Sequence, residues 1–181
     1  RAEMVYAFFA GAQAITFVKQ YDQAGMMKTS PVIGALPSLD AIVRGAVGEA
    51  AIGATVATFW DDSFDNPVNK KFVDEFVATE KRNPTSYVAT AYDTAQLIGA
   101  ALAKVNGDVA NRKAFSAALA STPFASTRGN IKLNTNHYPI QDFYAGPIIS
   151  DGAGKSKVGK LELVFKEHKD NFAATCQMPA N

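Results

Sequence analysis

Few side chains in this sequence could take part in bond-making chemistry, and their spacing assembles none of the familiar sites. His137 and His168 are the only histidines and Cys176 the only cysteine, so a three-ligand metal site would need carboxylates to complete it. Asp61, Asp62 and Asp65 fall close together. That run lacks the glycine and closing glutamate of a calcium-binding loop and reads as a solvated cluster at a hinge or helix start. Gly154-Lys155-Ser156 sits in a turn rather than at the start of a helix, the wrong setting for cradling phosphates. Gly11 stands alone after the first strand, without the three-glycine pattern that lets a backbone approach a pyrophosphate. There is no Gly-x-Ser-x-Gly elbow, and Cys176 lacks a credible histidine and asparagine setting. It is either an inert tail thiol or half of a disulfide whose partner is not in this chain. The expectation is a binding protein with no catalytic residue, no metal and no cofactor, rather than an enzyme.

Binding needs a surface, and the order of elements says where to look. Met4 to Phe9 is a short apolar run that reads as a buried strand, and Ile15, Val18 and Tyr21 then recur at helical spacing up to Gly25. Pro31 to Leu36 gives a second strand. Ser38 is the expected N-cap of the next helix, with Leu39, Ile42, Val43 and Ala46 on one face and Gly48 at its end. Ile52 to Trp60 is a third strand. Three strands separated by two helices imply a parallel sheet with right-handed crossovers.

Helices follow. Asn66 caps the first, with Pro67 at its first position and a stripe of Phe72, Val73, Phe76 and Val77. The second spans about residues 86 to 105, with Tyr87, Ala91, Ala95, Ile98 and Leu102 expected inward and Tyr92 packing beside Asp93. The third follows Asp108 and carries Phe115 and Leu119. These helices need a sheet to cover, and without one their exposed face would make the isolated chain unstable or prone to dimerise. Strand character returns at Asn130 to Leu133, Phe143 to Ile149 and Lys160 to Phe165, the last two expected to form a hairpin across the turn Ser150 to Gly154.

Composition narrows the class. The chain has 181 residues, 48% of them apolar, enough for one sizeable core or two small lobes. Eighteen basic and seventeen acidic side chains are scattered along it, so no phosphate-backbone footprint appears and no nucleic-acid partner is expected. Apolar runs such as Ala95 to Ala103 fall well short of the roughly 18 residues a membrane span requires. The chain begins at Arg1-Ala2-Glu3 and enters a strand almost at once, and an upstream piece is expected.

In this order and spacing, four stretches together resemble a known family. They are Met4-Val5-Tyr6-Ala7-Phe8-Phe9-Ala10-Gly11, Val32-Ile33-Gly34, Gly53-Ala54-Thr55-Val56 and Pro84-Thr85-Ser86-Tyr87-Val88-Ala89-Thr90-Ala91-Tyr92-Asp93. The most distinctive block is Thr127-Arg128-Gly129-Asn130-Ile131-Lys132-Leu133-Asn134, continuing through His137 and Pro139 to Gln141-Asp142-Phe143-Tyr144. Nearly the whole chain is similar to the second half of type I periplasmic binding proteins of the leucine, isoleucine and valine receptor family. The resemblance implies an α/β fold of two Rossmann-like lobes with parallel sheets and a three-segment hinge. On that mapping residues 1–60 belong to the second lobe, 61–136 return to the first, and 137–181 re-cross the hinge into a second-lobe hairpin and tail. It also implies export to the bacterial periplasm, a small organic acid as ligand, an ABC transporter permease as membrane partner and an upstream N-terminal portion of the same protein.

Open parallel sheets bind ligands beyond the carboxyl ends of their strands. That directs attention to Phe8, Phe9, Ala10 and Gly11 after the first strand and to Leu36, Pro37 and Ser38 after the second, the two places to which the resemblance also points. Amino acid receptors generally hold the ligand ammonium with an acidic side chain on the second loop, because a buried cation requires a paired anion. Here that loop reads Gly34-Ala35-Leu36-Pro37, with no carboxylate before Asp40, and Phe8-Phe9-Ala10 replaces a tyrosine frequent on the first loop. The expected ligand is therefore an aromatic carboxylate, its ring against Phe8, Phe9 and Leu36. The alternatives are a branched-chain amino acid receptor of the same fold and a ligand-sensing regulator. Strand alternation leaves open that Phe8 or Phe9 belongs to the core. Trp60, at the expected second crossing, either walls the cleft or covers the hinge.

Overall fold

The computed structural model describes residues 2–176; residue 1 and the end of the expected tail, 177–181, lie outside the described residues. In chain order the elements are β1 (Val5–Ala7), α1 (Gly11–Gln23), β2 (Val32–Ala35), α2 (Ala41–Val47), β3 (Thr55–Thr58), α3 (Pro67–Glu80), α4 (Ser86–Lys104), α5 (Arg112–Ser121), β4 (Lys132–Leu133), β5 (Pro139–Ser150), β6 (Ser156–Val158) and β7 (Glu162–His168). The backbone divides into two compact units, and the chain changes unit three times, at 59/60, 142/143 and 164/165.

The first unit is built on parallel β1, β2 and β3. Val5 pairs with Val32 and Ala7 with Gly34; Ile33 pairs with Thr55 and Ala35 with Ala57. All three strands are shorter than the apolar runs that announced them. β5 closes the other edge of β3 in the antiparallel sense, with Thr55 opposite Pro147 and Thr58 opposite Tyr144. Val18 of α1, Val43 of α2, Val32, Val56 and Ile148 of the strands, and Leu39 share one buried cluster, the arrangement expected where helices cover a parallel sheet.

Two expectations for this unit change. Helix α2 starts after Asp40, not after Ser38, because the Ser38 hydroxyl is engaged elsewhere. Its buried face is Leu39, Val43 and Val47, while Ile42 and Ala46 point to solvent; spacing by four selects one face, and the helix is too short to bury two. The hairpin also differs. β5 returns through β6, with Ser150 opposite Ser156 and Ile148 opposite Val158, and β7 pairs with β5 separately. The break falls at 159–161, where a Cβ on Gly146 would lie 2.8 Å from the Lys160 carbonyl oxygen, so the chain crosses there only because position 146 is bare. In the turn, the Asp151 carboxylate accepts the amide N–H groups of Ala153 and Lys155, which hold its pKa below the ordinary value.

The second unit is helical with a short strand pair, β4 against the start of β5. Asn66 caps α3 by accepting the Asn69 N–H at 2.8 Å, with Pro67 at the first position. Phe72 is buried and its ring meets those of Trp60, Phe76 and Tyr92, so Tyr92 packs. Asn111 caps α5, accepting from Ala114 N–H, while Asp108 accepts from Asn111 N–H.

Helix α4 presents the larger surprise. Ser86, Ala89, Asp93 and Ala101 face inward, whereas Tyr87, Ala91, Ala95 and Ile98 of the expected inward stripe are exposed and Leu102 is half-buried. Asp93 decides the orientation. It is 1% exposed and accepts from Ser126 Oγ at 2.7 Å, Thr127 N–H at 2.7 Å and Arg128 Nε at 2.9 Å. Arg128 also donates to Gln141 Oε1 at 2.8 Å. A buried carboxylate is tolerable only with such partners, so the face carrying it must meet the 126–128 segment.

Candidate functional site

The carboxyl ends of β1 and β2 lie side by side in the first unit; no ionisable side chain occurs from Ala7 to Val18 or from Pro31 to Leu39, and the one carboxylate of the second loop, Asp40 before α2, is buried. After Ala7 the backbone leaves the sheet. Phe8 is 65% and Phe9 38% exposed, and neither is a strand residue, so strand alternation does not turn one of them into the core. Ala10 and Gly11 are exposed as well. Phe9 is steadied from one side, its ring centroid 4.9 Å from that of Phe17, which in turn lies 5.2 Å from Tyr21. Tyr21 is anchored by donating its hydroxyl to the Ser30 carbonyl oxygen at 2.7 Å. Phe8 has no such support among these ring pairs and is the more exposed of the two.

The second loop turns back sharply through a 3-10 turn, Leu36–Ser38. Pro37 presets that turn, and Gly34 makes room for it. A Cβ on Gly34 would stand 2.6 Å from Leu39 Cδ1, so Leu39 can bury itself over β2 only because position 34 carries no side chain. Leu36 and Pro37 remain half-buried at the rim, Leu36 packing also against the core cluster.

One residue joins the two loops. Ser38 is 1% exposed; its Oγ accepts the Phe9 N–H at 2.7 Å and shares its single proton between the carbonyl oxygens of Ala7 at 3.1 Å and Phe9 at 3.0 Å. This also explains why β1 ends at Ala7: the next amide that could extend the ladder, that of Phe9, turns to the serine instead. Sequence reasoning placed Ser38 correctly on the loop and misjudged its hydrogen bond, since a serine just before a helix reads as a cap.

Trp60 is placed elsewhere. It belongs to the second unit, is 4% exposed, and donates its indole N–H to Asn69 Oδ1 at 2.8 Å. Asn69 itself donates to the carbonyl oxygens of Asp61, Asp62 and Phe64, so the ring and this amide together pin the segment that follows the first change of unit. The structure thus brings together Phe8, Phe9, Ala10, Gly11, Leu36 and Pro37 in the first unit, while Trp60 belongs to the second.

Among the described residues no group of three or more histidine, cysteine or acidic side chains is placed to hold a metal ion, and no helix is long and apolar enough to cross a membrane. The acidic run is engaged piecemeal: Asp61 with Ser63, Asp62 with Asn83, Asp65 with Lys70. The Asp65–Lys70 contact lowers the carboxyl pKa and raises that of the amine. Cys176 is exposed and free.

Comparison with known proteins agrees with this geometry. A family model described as periplasmic binding protein matches residues 1–153. Comparison with curated protein sequences gives no match. Among solved structures, the solute-binding protein of an ABC transporter from R. palustris in complex with benzoate is 35% identical, with a TM-score of 0.85 over 97% of this chain and 46% of that one. An ABC transporter substrate-binding protein from Sphaerobacter thermophilus is 25% identical, with a TM-score of 0.79 over 91% of this chain and 46% of that one. The leucine-binding protein of Thermotoga maritima, 20% identical with a TM-score of 0.72 over 88% of this chain and 44% of that one, shares the fold. The chain spans less than half the length of each of these structures. On the family match over most of its length, this chain belongs to the periplasmic binding proteins.

Proposed function

We propose that the protein containing this chain is the solute-binding receptor of an ABC importer, that it works in the bacterial periplasm, and that it captures a small aromatic carboxylate for delivery to a membrane permease. The observation that carries the proposal is the pair of loops in the first unit, which offer aromatic and aliphatic surface while their one ionisable side chain, Asp40, is buried. Magnitudes decide between ligand classes. Burying a phenyl ring against such a surface stabilises a complex by roughly 1.5–3 kcal/mol. Desolvating an ammonium group with no anion beside it costs several kcal/mol, so a zwitterionic amino acid loses on these loops what an aromatic acid gains. The absence of an acidic residue from the first turn of α1 points the same way, because a helix start repels a cation. The benzoate held by the R. palustris protein supports this chemistry.

In this reading Phe8, Phe9 and Leu36 contact the ring, Ala10, Gly11 and Pro37 shape the rim, and the carboxylate is held by the other lobe, contributed by the rest of the protein. Closure about the chain's crossings between units then traps the ligand, since a ligand stabilises only the state it contacts better. No bond is made or broken.

The test is a thermal-shift and calorimetric screen of the protein as its gene encodes it, against benzoate, 4-hydroxybenzoate, phenylpyruvate, coumarate, leucine, isoleucine and valine. A ligand specific for the native state raises its melting temperature by mass action. Stabilisation by the aromatic acids alone is the expected result. Stabilisation by leucine overturns the specificity while keeping the receptor, and no shift with any of them favours the ligand-sensing regulator instead.

A further inference from the structure

We propose that Ser38 is a positioning residue that couples the two loops into one ligand-contacting rim, so that the shape offered to the aromatic ring is set by a buried hydroxyl that never touches the ligand. This rests on the reading of the loops as the ligand surface. The strands themselves hold β1 to β2 only as far as Ala7 and Gly34. Beyond that register the sheet offers nothing to keep Phe8 and Phe9 in fixed relation to Leu36. Ser38 supplies the link. Its hydroxyl takes the Phe9 N–H from one loop and returns its proton to the carbonyl oxygens of Ala7 and Phe9 while its own backbone belongs to the other. Two of these contacts flank Phe8, so the residue most exposed to a ligand is bracketed by backbone groups tied to a single side chain.

The link has a second consequence. With the Phe9 amide engaged by Ser38, the first loop has no Phe9 N–H to offer a ligand carboxylate. Ser38 is 1% exposed, so water cannot substitute for it without a rearrangement of the turn that Gly34 and Leu39 hold in place. A buried donor left without its acceptor is costly, and Ser38→Ala relieves that cost only by letting the first loop move away from the second.

The experiment uses the protein as its gene encodes it, with benzoate as the probe, and compares Ser38→Ala with Val43→Ala, a cavity variant in the same core. In Ser38→Ala benzoate affinity falls about tenfold, the equivalent of one lost hydrogen bond to a buried group, and the Phe9 amide of the ligand-free protein exchanges with solvent about tenfold faster. Val43→Ala melts at a lower temperature but keeps benzoate affinity and Phe9 protection unchanged. Should Ser38→Ala fail to fold, Ser38→Cys, whose sulfur is a weaker acceptor, shows both effects at reduced size. Benzoate binding and Phe9 protection unchanged in the serine variants overturn the proposal. If the unaltered protein ignores benzoate, the aromatic-acid reading fails and amide exchange alone decides: faster exchange in Ser38→Ala sustains the coupling of the loops, and unchanged exchange overturns it.

Discussion

At the strand ends of the first unit, Phe8 and Phe9 are exposed while a serine hydroxyl is buried behind them; in the second unit Trp60 and Phe72 are buried, together with a carboxylate whose guanidinium partner is largely covered. The loops of the first unit expose the rings and hide the polar link, whereas around Trp60 and Phe72 the second unit hides both, leaving Tyr87, Tyr138, Phe165 and Phe172 exposed elsewhere. Burying a ring is the default for a folded chain, because the apolar area removed from water drives folding. Rings left out in company, on loops without exposed charge, are the departure that marks a binding surface. The polar groups teach the complementary lesson. In the second unit Asp93, Arg128 and Gln141 knit a helix to the segment that leads into β5, so their value is to the fold. Ser38 knits two loops whose rings remain outside.

The contrast can be broken from either side. The largest effect is expected from Asp93→Ala, which leaves the largely covered Arg128 guanidinium without its carboxylate. The loss in stability should be about 3–5 kcal/mol, read as a shift of the urea midpoint, and a loss no larger than that of a surface substitution would show that the buried pair does not hold the helix. Trp60→Phe is next. It removes the donor to Asn69 Oδ1 while keeping an aromatic ring, and should cost about 1–3 kcal/mol with benzoate affinity unchanged in calorimetry; a lowered affinity would place Trp60 on the ligand surface. Phe8→Ala should do the opposite. Its effect on stability should stay within about 0.5 kcal/mol, as at other exposed positions, while benzoate affinity drops about tenfold for the lost ring contact. A destabilised Phe8→Ala variant with intact affinity would place Phe8 in the core and remove the distinction between the units.

Much of the first unit was legible in the sequence because its signals are local. Short apolar runs with helices between them give β1, α1, β2, α2 and β3 in the right order, since each run is buried by the layer its neighbours build. The capped start of α3 at Asn66 and Pro67 is equally local. Helix α4 was misread because its inward face is chosen by a charge. Tyr87, Ala91, Ala95 and Ile98 make the better apolar stripe, yet Asp93 turns inward to partners in the 126–128 segment that no periodicity reveals. The polar cluster Ser126-Thr127-Arg128 was the one available hint. The candidate loops were legible from where parallel strands end. The role of Ser38 was not, because a cap and a bridge call for the same residue type at the same place, and only the path of the other loop separates them.

The three changes of unit also bear on how the protein is made. β3 follows its parallel neighbour β2 closely in the chain, but its other neighbour, β5, is complete only after the whole of residues 60–142 has been synthesised. Until Thr55 meets Pro147 the nascent sheet has an unpaired edge, the kind of surface on which chains aggregate. Pairings between such distant parts of a chain are also slow to form. The vulnerable species in biogenesis is therefore a half-closed sheet awaiting its last strand, and protection of the β3 edge by a holding chaperone should matter more to yield than any single contact in the finished protein.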